Sequence, residues 1–356
     1  MTRPRLRDLG ITIGELPTGP HNAITDVPDL LVGHATVISD TPRIARTGVT
    51  VVVPRAGEVY RQQCFAGYHS FNGNGEMTGM HWLAESGLLG SPLAITNTHQ
   101  VGLVRDALVA YEIERHPESD WLLPVVAETY DGWLNDINAF HLIPDHVRAA
   151  LAAAQGGPVA EGNVGGGTGM ICHGFKGGIG TASRLVTLGD ATYTVGVLVQ
   201  ANYGWRHHLR VDGVPVGRLI PVEEIPAPWA VAPTEGSIIV IIATDAPLLA
   251  GQCRRLAQRA TVGLARVGGH GFNSSGDLFL AFATGNAIPV AATGPIPLTM
   301  VPQARIDPFL LAAAEATEEA ILNALTGAET LIGQRGRVAH ALPLERLQAL
   351  MAVPRT

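Results

Sequence analysis

Cysteine is scarce in this sequence: 3 residues among 356, Cys64, Cys172 and Cys253, far apart and without a CxxC pair. That spacing argues against a disulfide framework or a zinc knot and fits a reducing cytoplasm, where the chain is expected to reside. Long apolar runs are missing too. Nothing approaches the roughly 18 consecutive apolar residues that span a bilayer, and the runs near 50–53, 195–199 and 238–243 have the length of buried strands. Arg3, Arg5 and Arg7 open the chain, but "DLGITIGELPTGPHNAITDV" follows, without an apolar h-region or a small-residue cleavage site, so export is not expected. Charge is thin and mixed. With a net charge of −7 and no basic stripe or acidic tail, neither nucleic acid nor a tethered partner is expected, and a small molecule or peptide is the expected substrate. HExxH, GK[ST] and GxSxG are all absent, which leaves no zincin helix, no phosphate loop and no nucleophile elbow. The 13 histidines, among them His81, His99, His207 and His208, offer no pair at a metal spacing, so no metal and no cofactor are expected.

What is present is glycine, 42 residues gathered in loops such as "NGNGEMTGM", "EGNVGGGTGM" and "HGFKGGIGTAS". The segments between them read as a loop-rich α/β chain. Strands are expected over 49–53, 93–96, 121–127, 178–186, 192–200, 237–244 and 277–284. Helices are expected over 98–115, with Asn97 and Thr98 as caps, over 247–267 and over 307–325. Several strands are apolar on both faces, so each sheet needs a layer on either side, and sheet against sheet with helices outside is one solution. The stretches 151–167 and 223–236 have linker composition. The second contains three prolines and ends on Gly236, directly before the apolar strand that begins with Ser237.

A serine after glycine at a strand edge is ordinary turn chemistry. Here a Pro-rich segment, an unhindered glycine and a hydroxyl opening a buried strand meet, and these are the needs of an intramolecular N-to-O acyl shift. The segment "GHGFNSSGDLFLAFATGN" places Ser274, Ser275 and Asp277 before a strand, either as a commonplace turn or as a hydroxyl and carboxylate held against a neighbouring strand end. Glu128, Tyr130, Asp131 and Asp136 follow one strand, and Asn202, Arg206 and His208 another; such groups line a site or cap the next element. The glycines of 162–169 suit backbone packing or close approach of a substrate.

Taken in order, "RLRDLGITIGELPTGPHNAITDVPDLLVGHATV", "NGNGEMTG", "LAITNTHQVG", "VVAETYDGWLNDIN", "GNVGGGTGM", "KGGIGTASR", "VGVLVQAN", "GSIIVIIATDAPL" and "SSGDLFLAFATGN" resemble the L-aminopeptidase/D-esterase (DmpA-like) family, over almost the whole chain. The resemblance implies a four-layer αββα sandwich, shared with the ornithine acetyltransferases. It implies a single domain, 1–356, that cuts itself between Gly236 and Ser237 into a large piece, 1–236, and a small piece, 237–356. These stay together and assemble as a homo-oligomer, a tetramer of cleaved heterodimers. It also implies a serine aminopeptidase acting on peptides or aminoacyl amides and esters, with Ser237 as nucleophile. Ser275 and Asp277 fall on the SG[DE] motif as helpers, Tyr130 and Asn202 on the residues that meet the substrate carbonyl. Other members carry Glu where this chain has the shorter Asp277. Glu128 is a candidate for the substrate's ammonium group, or else part of a structural salt bridge. Once cut, Ser237 would hold both a hydroxyl and a free α-amine, nucleophile and base in one residue. The alternative implied by the shared fold is an acyltransferase, for which a threonine nucleophile is the usual choice. Trp133, Trp205 and Phe65 could shape the pocket, with core packing as their default role.

Overall fold

Valine and isoleucine runs buried on both sides build the centre of the molecule, whose computed structural model describes residues 3–228 and 236–353. In chain order the strands are β1 (Leu31–Ser39), β2 (Ala45–Val53), β3 (Gln62–Gly73), β4 (Leu88–Leu89), β5 (Leu93–Asn97), β6 (Val125–Thr129), β7 (Ile171–Cys172), β8 (Phe175–Lys176), β9 (Gly178–Leu188), β10 (Ala191–Asn202), β11 (Gly236–Thr244) and β12 (Ser275–Pro289). The helices are α1 (Met80–Ser86), α2 (Val101–Arg115), α3 (Pro144–Ala152), α4 (Val216–Leu219), α5 (Ala250–Val267), α6 (Asp307–Thr326) and α7 (Leu344–Met351).

The first large sheet has the order β1-β2-β5-β6 and the second β4-β3-β12-β11-β10-β9, while β7 pairs with β8 and the short strands Leu331–Ile332 and Val338–Ala339 pair with each other. Alternation along each strand decides what lies on either side. In β11, Ile239, Ile241 and Ala243 meet Leu93, Ile95, Val125 and Ala127 of the first sheet. On the opposite face, Ile238, Val240 and Ile242 pack under Leu256, Ala260, Phe309 and Ala313 of α5 and α6. Val49, Val51 and Val126 turn outward to α2 and α3. The layers are therefore αββα, as expected.

α6 shows what such burial demands. Pro308 sits in its first turn, where a missing N–H costs nothing. Alanine-rich and surrounded by protein, the helix nonetheless buries Glu315, Glu318 and Glu319, which require partners. Arg184, wholly buried on β9, bonds Glu315 at 3.0 Å and Glu319 at 2.7 Å. Arg7 closes on Glu319 at 2.7 Å, and Arg5 on Glu161 at 2.7 Å. Burial alone would raise Glu319, but the Arg7 and Arg184 guanidiniums outweigh it and hold the carboxyl below its ordinary value. The arginines that open the chain thus tie it down. Arg184→Met leaves Glu315 buried without its cation, and the expected loss is about 3–5 kcal/mol of stability, read from urea unfolding. A change within experimental error would show that the pair contributes nothing net.

Several boundaries differ from the sequence reading. Residues 121–124 are apolar but irregular, and the strand starts only at Val125, after Pro124. The helix expected from Thr98 starts at Val101, behind a single tight turn. β1 and β3 carry no simple alternation and were not expected; β3 is half-exposed, and its pairing to β12 slips by one residue at Phe71. At the end of the stretch 151–167, whose composition reads as a linker, Gly165–Gly167 are buried and run between the sheets. A side chain on Gly166 would lie 2.1 Å from Gln200 Oε1 and 2.7 Å from the Ile95 carbonyl, so this glycine serves packing. Of the Pro-rich stretch 223–236, residues 229–235 lie outside the described residues.

Candidate active site

Strand direction assembles the site. β11 runs parallel to β12 and antiparallel to β10, so the starts of β11 and β12 meet the end of β10 at one edge of the six-stranded sheet. Gly236 lies opposite Ser275, Ser237 opposite both Gly276 and Asn202, and Ile238 opposite Asp277. Residues 35 to 75 positions apart in the chain thereby become neighbours of the Gly236–Ser237 peptide.

Two faces of the sheet are involved. Ser237 shares the face of Ile239 and Ile241, towards the first sheet, and is nearly buried. Its Oγ donates to the carbonyl of Gly236 at 2.6 Å. Ser275 and Asp277 share the face of Phe279 and Ala281, towards the helices. Ser275 Oγ donates to Asp277 Oδ1 at 2.7 Å. Burial pushes Asp277 up to about 6, against the opposing pull of the bonds from Ser275 and the Ile238 N–H. The pair reaches the peptide through Gly236, because a Cβ there would lie 3.7 Å from Ser275 Oγ. The shorter carboxylate is thus engaged with Ser275 and the β11 backbone, while the Ser237 hydroxyl turns to the adjoining carbonyl.

Asn202 is fixed at both ends of its amide: Oδ1 accepts from the Ile171 N–H at 2.8 Å, and Nδ2 donates to the Tyr130 carbonyl at 2.9 Å. The half-buried Tyr130 leans over Gly132, where a Cβ would lie 2.4 Å from its hydroxyl. Glu128 is buried at the edge of the first sheet. Its Oε1 accepts from the Glu76 N–H at 3.0 Å and its Oε2 from Thr98 Oγ1. Burial raises its carboxyl above the ordinary value, and these two bonds only partly offset that. Among the described residues no lysine or arginine forms an ion pair with it. One position relates it to the nucleophile: a Cβ on Gly75 would be 3.2 Å from both Glu128 Oε1 and Gly276 Cα.

The sequence did not reveal the brackets that hold these groups. Asn72 Nδ2 donates to the carbonyls of Phe272 and Ser275, and Asn74 Nδ2 to that of Ser274 at 2.8 Å, so the NGNG loop clamps the turn that delivers Ser275. The asparagines within that glycine loop were the available signal. Thr98 bonds Glu128, while capping falls to Asn97, whose side chain accepts from the N–H groups of His99 and Gln100. Asp136 pairs with Arg43, Arg206 spans buried carbonyls above Phe175, and Asp131 is buried against Asn135, so these three support the scaffold. Trp205 lines a cleft beside Ser275. Trp133 packs instead under Arg337, and Phe65 lies far along β3, opposite Ala283. Among the described residues no group of three or more His, Cys, Asp or Glu side chains could hold a metal ion.

Known proteins resemble the chain over nearly its whole length. The family described as peptidase family S58 matches residues 22–339. The chain is 48% identical to a beta-peptidyl aminopeptidase of Sphingosinicella microcystinivorans, covering 98% of this chain and 92% of the relative. Among solved structures it is similar to a Burkholderia beta-aminopeptidase, at 54% identity and a TM-score of 0.92. It is likewise similar to the L-aminopeptidase D-Ala-esterase/amidase of Ochrobactrum anthropi, described as a variant of the Ntn hydrolase fold, at 44% identity and a TM-score of 0.91. Each of these two matches covers 98% of both chains.

Proposed function

The chain belongs to peptidase family S58 and is an N-terminal-nucleophile serine aminopeptidase, and from that premise we propose that it matures by cleaving its own Gly236–Ser237 bond and then releases N-terminal β-amino acid residues from peptides and amides. The observation that carries this reading is the setting of one peptide bond: Ser237 Oγ stands 2.6 Å from the Gly236 carbonyl oxygen, with Ser275 opposite Gly236 and Asn202 opposite Ser237. The preference for β-amino acids is drawn from the relatives' activity. None of the three relatives above is an acyltransferase.

In maturation, Oγ adds to the Gly236 carbonyl carbon, its proton passes to the Ser237 nitrogen, and the C–N bond breaks to leave an ester. Water then hydrolyses the ester to a Gly236 carboxylate and a free serine. The Ser275–Asp277 pair, on the other face of the same peptide, assists the proton transfer. In the mature protein the α-amine, with a reference pKa of about 7.7–8.0, takes the Oγ proton as Oγ attacks the substrate. Asn202 Nδ2 carries a second N–H besides the one bonded to Tyr130. Together with Tyr130 it faces the developing oxyanion, a contact worth about 3 kcal/mol per donor in other hydrolases. Glu128 receives the substrate's ammonium. We also read the mature protein as a cytoplasmic homo-oligomer; its three buried cysteines are unbonded, and light scattering measures the assembly.

A panel of β-alanyl, L-alanyl and D-alanyl amides, each free and N-acetylated, tests the substrate. Free β-alanyl amide is expected to be the best, and acetylation should all but abolish turnover. Glu128→Gln should raise KM by about 10- to 100-fold, the worth of a charge-assisted bond, with a smaller effect on self-cleavage. Equal turnover of free and acetylated substrates by the wild type would remove both the role of Glu128 and aminopeptidase activity.

A further inference from the structure

Behind the Gly236–Ser237 peptide, on the helix-facing side of the sheet, lies a cleft whose aromatic wall has no task in the mechanism above. Gly236, Ser275 and Asp277 form its floor, and Tyr203, Trp205, His270 and Phe272 its wall. The rings are in mutual contact: Trp205 and Phe272 at 5.1 Å between centroids, His270 and Phe272 at 5.6 Å. His208 stacks on Trp205 at 5.8 Å with planes 10° apart. Burial, with His207 and His270 alongside, pushes its imidazole down to about 4, so it backs Trp205 from behind the wall as an uncharged ring. Phe272 remains 40% exposed at the centre of this group. Its backbone cannot drift, because its carbonyl accepts from the Ser275 N–H at 2.8 Å and from Asn72 Nδ2 at 2.6 Å. An aromatic face is held open beside the groups that do the chemistry.

The geometry points to this cleft as the subsite for the leaving part of the substrate, one that takes an apolar and preferably aromatic side chain on the residue after the scissile bond. The inference rests on the proposed role of the Ser237 amine. The proton that the amine takes from Oγ must go to the departing nitrogen, so that nitrogen must lie within hydrogen-bonding reach of the Ser237 nitrogen. The chain leaving that nitrogen runs over the position of Gly236. A Cβ on Gly236 would stand 3.5 Å from Tyr203 Cα and 3.7 Å from Ser275 Oγ, at the floor of the cleft. Glu128 lies the other way, across Gly75 from Gly276. A substrate whose ammonium meets Glu128 therefore directs its second residue at Trp205 and Phe272.

The test compares β-alanyl-phenylalaninamide, β-alanyl-glycinamide and β-alanyl-glutamic acid amide, which share one N-terminal residue. The wild type should favour phenylalanine over glycine by about tenfold in kcat/KM, the scale of an aromatic contact. Phe272→Ala should bring that ratio close to one, and Phe272→Trp should restore it. Reading the ratio cancels any general loss of rate. A wild-type ratio near one, or a ratio unchanged in Phe272→Ala, overturns the subsite while the aminopeptidase reading stands. Preference for glutamate would overturn it as well, marking the histidines as an anion-reading wall. Release from none of the three would instead sink the assignment of Ser237 and its amine, and the subsite with it.

Discussion

Ser237→Ala is expected to purify as one full-length chain of 37.4 kDa, whereas the wild type is expected to yield two fragments, the smaller beginning at Ser237. Peptidase activity should fall by at least about 10⁴-fold, since nucleophile and base are lost together. The change removes one oxygen from a nearly buried position and leaves the β11 ladder intact, so the variant should melt close to the wild type. That separates lost chemistry from lost folding. Terminal sequencing that finds another first residue in the small fragment, or an alanine variant that still splits, would falsify the assignment.

The second large effect belongs to Asp277. On the proposed mechanism the nitrogen of Ser237 is an amide until Oγ has added and cannot take the first proton, so maturation depends on the Ser275–Asp277 pair to carry it until that nitrogen becomes basic. After cleavage the amine serves itself. Asp277→Asn should slow maturation by about 10²-fold or more, the usual scale of general-base assistance, while molecules that do mature keep part of their activity. The pH dependence has a definite sign. Asp277, raised to about 6 by burial, works as a base only when ionised, so wild-type maturation should be slow below pH 6 and level off above it. In the asparagine variant that limb should vanish, and the acidic limb of mature kcat/KM should still report a group near the amine's reference value of about 7.7–8.0. An ester substrate of independently known amine pKa separates the two titrations. Normal maturation with a dead mature form would reverse the roles and make Asp277 the working base.

The layers of the fold were legible because they follow from burial on both faces. Over 49–53 β2 reads "VTVVV", and the strand is buried at every position; with no face left for solvent it demands two neighbours. β3 was not legible. It begins "QQC", stays half-exposed and contains a slip at Phe71, so no period of two survives in its sequence. Ser237, Ser275 and Asp277 could be singled out because each stands where a loop enters a strand. Their contacts could not, since alternation sends Ser237 to one face and the other two to the opposite one. Thr98 illustrates the same limit. Beside Asn97 it reads as a helix cap, and only the pairing of β5 with β6 places it over Glu128.

The order of the six-stranded sheet has a consequence of another kind. β11 and β12, which follow residue 236, sit in its middle, flanked by β10 and β9 on one side and β3 and β4 on the other, all of which precede it. Arg7 and Arg184, before residue 236, grip Glu319 after it. If the Gly236–Ser237 bond is cut as proposed, the two fragments share one sheet but no covalent link. Unfolding remains a first-order event, whereas refolding becomes an encounter between two molecules. The intact chain recovers at a rate independent of dilution. The cut one regains its structure only in proportion to the chance that the halves meet, and its midpoint of denaturation falls as it is diluted. On the proposed maturation, the peptide bond given up to make the nucleophile is also the tether that made the fold unimolecular, so each molecule would be guaranteed that assembly once.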